Sequence, residues 1–272
     1  AWDGRSSSSS PMDLRGKVLR IRPKPDGTYG IPNGNLFPPG TPGALPEIYI
    51  MGCRNPFRIY IDHHTEFLYW GDVGPDAGED RLGRGPRGYD EVNQAREPGY
   101  FGWPLFVADN KPYNQFLFAD SMSGKKYNSA APINDSPHNV GLRNLPEAQP
   151  AFIWYPYVES PDFPLLGSGG RNAMAGLVYH FDDYKNTKNN FPKYYDKKLF
   201  IYDWMRGWIM AVKMNAGGDF ETLEPFMAGE TFHNPIDMIM WQDGALYVLE
   251  YGTMWFSKNK DCLLYTSDAA DE

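Results

Sequence analysis

Apolar residues come along this chain in short runs, many of them alternating with polar ones, and each run closes on glycine, proline, asparagine or aspartate. Alternation of period two over such lengths predicts strands rather than helices. Residues 14–23 alternate well enough for one strand, and the turn at 23–30 ends it. A proline-glycine loop over 31–43 leads to a second strand at 47–52. A pattern then recurs. Asn55-Pro56-Phe57-Arg58-Ile59, a turn, and Phe67-Leu68-Tyr69-Trp70-Gly71-Asp72 are echoed by Asn234-Pro235-Ile236-Asp237-Met238, the turn Asp243-Gly244, and Ala245-Leu246-Tyr247-Val248-Leu249-Glu250. Three further runs, 175–180, 198–203 and 207–213, lie between them. An Asn-Pro, strand, turn, strand unit recurring at long spacing predicts the blades of a β-propeller. A β-sandwich with coincidental turns is the other reading of the same pattern. Residues 105–170 carry few strand signals and many Pro, Asn and Ser, which predicts a long loop excursion with room for short helices.

The chain has 272 residues, with 28 Gly and 24 Pro spread along it, which suits one large all-β domain and argues against a helical bundle. A net charge of −8 argues against a nucleic-acid partner, because such a surface has no phosphate counterions to release. No apolar run approaches the roughly 18 residues of a membrane span. Cys53 and Cys262 give no disulfide framework. Residues 1–12, with serines at 6–10, read as a loop or linker. The chain begins Ala-Trp-Asp with no visible signal peptide, so a missing N-terminus is expected. The last residues, CLLYTSDAADE (262–272), continue no pattern and look like the translation of a sequencing-library adapter. The expected layout is therefore a loop at 1–12, a β segment at 13–261 containing the 105–170 excursion, and an artefact tail at 262–272.

Residues 52–104 concentrate the polar chemistry. Asp72, Asp76, Glu79, Asp80, Asp90 and Glu91 read either as a calcium site or as a solvated loop salted with Arg81, Arg84 and Arg87, and their spacing is not that of an EF-hand. His63 and His64 fall at a hairpin tip and are expected to be exposed turn residues. Metal binding there needs further ligands that spacing does not name. His138, His180 and His233 stand alone and read as structural. No Gly-x-Ser-x-Gly elbow or Cys-His pair supports nucleophilic hydrolysis. Trp70, Trp103, Trp154, Trp204, Trp208, Trp241 and Trp255 read mainly as wedges between sheets, with sugar stacking as the alternative. Trp204, beside Asp203 and Arg206 at a strand end, is the one expected to face the channel.

Five segments taken together resemble the glucose/sorbosone dehydrogenase family: Gly16-Lys17-Val18-Leu19-Arg20-Ile21, Gly52-Cys53-Arg54-Asn55-Pro56, Gly71-Asp72-Val73-Gly74-Pro75, Asp90-Glu91-Val92-Asn93 and Phe101-Gly102-Trp103-Pro104. The resemblance implies an all-β, six-bladed propeller of the quinoprotein type, present here as about four blades. It implies oxidation of a sugar hydroxyl by hydride transfer to pyrroloquinoline quinone (PQQ) held with Ca2+. It assigns Arg54 to polarising the quinone, and Arg54, Asn55, Asp90, Trp204 and Arg206 to binding the cofactor. Gly74, Pro75 and Glu91 would ligate the metal. The general-base histidine would lie in a blade upstream of Gly16-Lys17, before this chain begins. A sugar or small polyol substrate, a cytochrome c electron acceptor and a periplasmic or extracellular location follow by the same analogy. Met205, Asn234 and Ile236 stand where the quinone enzymes carry cationic clamps. They favour the alternative, a non-catalytic carbohydrate-binding or scaffold propeller of a secreted multidomain protein. A propeller lacking its first blades leaves an open sheet edge, so poor solubility is expected of the chain by itself.

Overall fold

Short runs between turn residues fold as short strands, and nearly all regular structure is β. The computed structural model describes residues 3–117 and 119–253, together with the backbone of residues 264–267. The chain divides into two compact units, Ala1–Pro56 with Asp72–Trp154, and Phe57–Gly71 with Tyr155–Glu272. Among the described residues no helix is long and apolar enough to cross a membrane.

In the first unit, Lys17–Leu19 pairs antiparallel with Ile48–Met51, which also pairs in parallel with Gly99–Tyr100. The single strand expected over 14–23 is broken. The register shifts between Val18 and Leu19, and Arg22–Pro23 pairs instead with Tyr29–Gly30 across the turn at Gly27. The unit's core gathers Phe37, Ile48, Met51, Tyr100, Leu105 and Phe106. The 105–170 segment holds more strand than its composition predicts. Phe106–Val107 pairs with Lys111–Pro112, and Asn114–Leu117 with Met122–Lys126. The first hairpin buries Phe106 and Val107, and the second exposes Phe116, Leu117 and Met122; with strands of only two to five residues, neither is long enough for alternation to announce it. The backbone of Phe152 donates to Val92 and sets the end of this segment beside Asp90–Ala95.

The serine run is loop, but it is no tether. Ser8, Ser9 and Ser10 are buried. Ser9 Oγ lies 2.8 Å from the Tyr100 hydroxyl and donates to the Trp103 carbonyl. Lys17 Nζ is buried too, and donates to the carbonyls of Ser7, Ser8 and Arg15, each at 2.9 Å. A run of small hydroxyl residues reads as a linker by composition, yet small residues are also what a tightly packed loop accommodates.

In the second unit, Ala173–Val178, Leu199–Asp203, Trp208–Met214 and Phe220–Pro225 form a four-stranded antiparallel meander in sequence order. This up-and-down sheet has the architecture of a propeller blade. Its tight turn is made by Asn215, whose side-chain oxygen accepts from the backbone of Gly217 and Asp219. The hairpin Pro56–Ile61 to Leu68–Asp72 precedes it in the chain. Pro235–Met240 follows, pairing with Leu246–Glu250 across the turn at Gly244 (φ 84). The backbone of Leu264–Ser267 pairs antiparallel with Leu246–Glu250. The rest of the expected artefact tail, Cys262 included, and Trp255 lie outside the described residues. Tyr179, Phe191, Phe200, Tyr202, Trp204 and Phe226 fill the unit's core. Trp70 and Trp204 are buried as wedges, whereas Trp241 is exposed.

Gly71 lies against the neighbouring strand so closely that a Cβ there would overlap the carbonyl oxygen of Ala173. Gly71→Ala is therefore expected to cost about 2–3 kcal/mol through overpacking against backbone that has no room to move. Urea denaturation measures this, and a change below about 0.5 kcal/mol would contradict the packing described.

Candidate active site

One local motif occurs three times and builds the loops that carry the chemistry. A residue pair ending in asparagine, namely Arg54-Asn55, Arg171-Asn172 or His233-Asn234, leads into a strand, and the strand paired with it ends in a buried acid: Asp72, Asp203 or Glu250. The acid then accepts backbone hydrogen bonds from the leading loop. Asp72 accepts from the amides of Arg54 (2.9 Å) and Asn55 (2.5 Å). Asp203 accepts from the amides of Asn172, Met205 and Arg206 and from the Tyr155 hydroxyl. Glu250 accepts from the amide of His233. Buried amides need acceptors, and a strand-end carboxylate supplies several from one residue.

In the first unit this motif brings together most of the residues singled out by sequence. Arg54 is half-buried. Its Nη1 donates to the Val73 carbonyl (2.7 Å), and its guanidinium lies 5.7 Å from the centre of the Trp103 ring. Its Nε and Nη2 donate to no other described residue. Asn55 is exposed, and its amide is held by Asp72. Asp90 is fully buried, and its Oδ1 accepts from the Gly74 amide (3.0 Å), which fixes the Gly74-Pro75 turn. Asp90 thus shapes the loop and is too deeply buried to touch a cofactor directly, a correction to its expected role. Glu91 is buried, accepting from the Ala108 amide (2.6 Å) and from Asn93 Nδ2 (3.2 Å). A void of about 10 Å³ lies among Arg54, Asp72, Gly74, Pro75 and Glu91, the space of one water molecule or small ion. A cavity of about 520 Å³ shares Pro75 and Trp103 with this void and is lined further by Arg84, Tyr113 and Phe116.

Electrostatics mark the same spot. Burial, and to a smaller extent the Asp90 charge, push the Asp72 carboxyl up to about 7 against the pull of its amide partners. Burial and the neighbouring charges of Asp72 and Asp90 push Glu91 up to about 8. Each carboxylate oxygen keeps lone pairs beyond the bonds it makes here. A void of one-ion size lined by two such acids offers hard oxygen donors of the kind Ca2+ takes. Asp72, which the sequence offered within an acidic cluster and a family segment but without a ligand role of its own, lines this void. The loop acids Glu79 and Asp80 are exposed and pair with Arg81 and Arg87, as the solvated reading has it.

The residues singled out in the second unit have other duties. Trp204 is packed in that unit's core, its ring against Tyr251 and its carbonyl accepting from Asn234 Nδ2. The expectation that it faces a channel is corrected, because the apolar core claims the indole. Arg206 spends all its donors on loop carbonyls: Nε on Gly170, Nη1 on Leu166 and Gly167, Nη2 on Pro156 and Gly169. It braces that loop and has no donor left for a cofactor carboxylate. Met205, Asn234 and Ile236 are uncharged, so these residues do not fit the clamping of a tricarboxylate quinone.

The family model for glucose/sorbosone dehydrogenases matches residues 3–139, half of the chain, and takes in the packed serine loop and the whole Arg54–Glu91 constellation. The chain belongs to the glucose/sorbosone dehydrogenase family. The aldose sugar dehydrogenase YliI of Escherichia coli (strain K12) is 25% identical over 236 residues, covering 87% of this chain and 48% of that protein. Among solved structures, an oxidoreductase of glucose dehydrogenase type from Thermus thermophilus aligns with a TM-score of 0.56 at 19% identity, over 96% of this chain and 57% of that one. The PQQ-bound form of aldose sugar dehydrogenase from Streptomyces coelicolor aligns with a TM-score of 0.50 at 14% identity, over 94% and 53%. The fold of this glucose/sorbosone dehydrogenase relative is accordingly an all-β propeller type. The chain spans less than half the length of the curated relatives it matches, 18% of one and 48% of the other.

The shifted acids have a consequence for stability. Between about pH 4 and pH 8 the folded chain keeps protons on Asp72 and Glu91 that the unfolded chain has released. Their contribution is fully present below the ordinary carboxylate range and is lost as pH rises through about 7 to 8. Acids held low, such as Asp3 and Asp62, act at lower pH. In EDTA, the urea midpoint is expected to fall between pH 5 and pH 8, and a midpoint that rises over that window would contradict this account.

Proposed function

We propose that this chain is part of a sugar dehydrogenase whose first unit holds a calcium ion in the void bounded by Asp72, Gly74, Pro75 and Glu91, with Arg54 presented at its edge. The void among two buried, mutually repelling acids carries this reading. A quinone cofactor, were it bound in such an enzyme, would supply an acceptor for the hydride leaving the carbon that bears a sugar hydroxyl, and Arg54 and Asn55 are the residues of this chain that would lie against it. The residues of this chain would do the supporting work. Asp72 holds the backbone of Arg54 and Asn55. Val73 and Trp103 hold the Arg54 guanidinium. The two remaining donors of that guanidinium are free to stabilise negative charge developing on an oxygen placed beside it. Asp90 keeps the Gly74-Pro75 turn in shape so that its carbonyls can serve a cation. On the same reading the substrate is an aldose or small polyol, a cytochrome c takes the electrons, and the protein works in the periplasm or outside the cell.

A second reading rests on a separate observation. Arg206 is committed to its own loop, and Met205, Asn234 and Ile236 are neutral, so none of these four positions offers a clamp for a polyanionic quinone. A non-catalytic, carbohydrate-binding propeller meets that constraint.

Calcium added at pH 8 should raise the melting temperature, and the gain should shrink at pH 5, where protons occupy the same acids. Glu91→Gln should abolish most of the calcium-induced shift, and an equal shift in wild type and variant would rule out the site. In the longer protein loaded with quinone, Arg54→Ala should lower kcat/KM by about 100-fold while leaving the melting temperature nearly unchanged. Calorimetry with sugars separates the two readings: saturable sugar binding without quinone, together with no quinone binding, would favour the non-catalytic one.

A further inference from the structure

The hairpin tip that follows Pro56–Ile61 gathers with a short helix into a cluster that the proposed function leaves unused. Asp183, in the helix Phe181–Tyr184, brings its Oδ2 to 3.2 Å from His63 Nε2 and 2.9 Å from His64 Nε2. These three ligand atoms all lie within 4.8 Å of one another. Metal–ligand bonds of about 2.0–2.2 Å set neighbouring ligand atoms roughly 3 Å apart in tetrahedral or octahedral coordination, so both histidine–carboxylate spacings already equal the edge of a coordination polyhedron.

The cluster is braced rather than loose. The His64 ring stacks on that of His180, with centroids 3.7 Å apart and planes at 27°. His180 is buried, and its Nε2 lies 2.7 Å from Asp62 Oδ1. Asp62 also accepts from the His64 amide and the Thr65 hydroxyl, which closes the tip into a defined turn. On the other side, the Phe181 amide donates to Asp196 and anchors the start of the helix that carries Asp183. Beside the cluster lies a cavity of about 260 Å³, lined by His63, His180 and Asp183 together with Tyr60 and Met238.

We infer that His63, His64 and Asp183 form a binding site for a divalent transition-metal ion of the zinc, nickel or copper class. Two imidazoles and one carboxylate suit such ions and are poor ligands for calcium. Three protein ligands leave coordination positions free for water or a further ligand. His180 is a positioning residue: Asp62 fixes it, and its ring holds the His64 imidazole in place, the outer-shell support that metal sites characteristically need. The site is independent of the calcium reading, which uses other residues and another kind of ligand.

The test uses the untagged full chain, stripped with EDTA and titrated with Zn2+ by equilibrium dialysis and calorimetry. One equivalent should bind with a dissociation constant in the micromolar range or tighter, and Ca2+ in 100-fold excess should not displace it. Co2+ should give the visible absorption of a nitrogen-oxygen site. His63→Gln and His64→Gln should each weaken binding at least 10-fold, and Asp183→Asn should do likewise. These side chains reach the surface, so melting curves should confirm that the variants fold. His138→Ala should bind as wild type does. Absence of a saturable equivalent, or affinity unchanged in the His63 and His64 variants, would overturn the assignment.

Discussion

A carboxylate buried at the end of a strand must find hydrogen-bond donors, and here it finds them in the backbone of the loop leading into the partner strand. Asp72, Asp203 and Glu250 all obey this constraint. Each ties a loop amide that would otherwise lie buried and unpaired, and each thereby fixes how its loop leaves the sheet. The candidate site owes its existence to the first of them. Arg54 and Asn55 are displayed where they are because their own amides are spoken for by Asp72, which leaves the side chains to project.

The same device has an electrostatic cost that differs among its copies. Asp203 is surrounded by four donors, one of them the backbone amide of a cation, Arg206. Asp72 instead stands near two further buried acids, Asp90 and Glu91, with the half-buried Arg54 as the cation at the void they border. Carboxyl groups in excess of cations, around a void of about 10 Å³, distinguish this copy from one that only braces its loop. In the second unit Arg206 is committed to its own loop, and Met205, Asn234 and Ile236 carry no charge.

Much of the β pattern was legible because the relevant strands alternate and end in turn residues with unambiguous chemistry, as at Asp243-Gly244 and Asn215. The Arg54–Glu91 constellation was legible through its joint motif spacing. Other features hid for physical reasons. The third copy of the loop motif, Arg171-Asn172, lacks the following proline, so it leaves no dipeptide signature. The hairpins between 105 and 126 are built of strands of two to five residues, too short to show a period of two. Trp204 and Arg206 look functional by residue type, but core packing and backbone carbonyls claim them first. His63, His64 and Asp183 meet across more than a hundred residues of sequence, a distance over which spacing carries no information.

Lys17 gives the serine loop a significance that its composition conceals. Its ammonium, pushed down to about 8 by burial, is satisfied only by carbonyls at Ser7, Ser8 and Arg15. The Ser8 carbonyl also accepts from the Gly52 amide, two residues before Arg54. The serine loop and the backbone leading to the arginine of the candidate site are therefore joined through one chain of hydrogen bonds. To peel the amino-terminal segment away is to strand a charge in the interior and to release the backbone that aims Arg54.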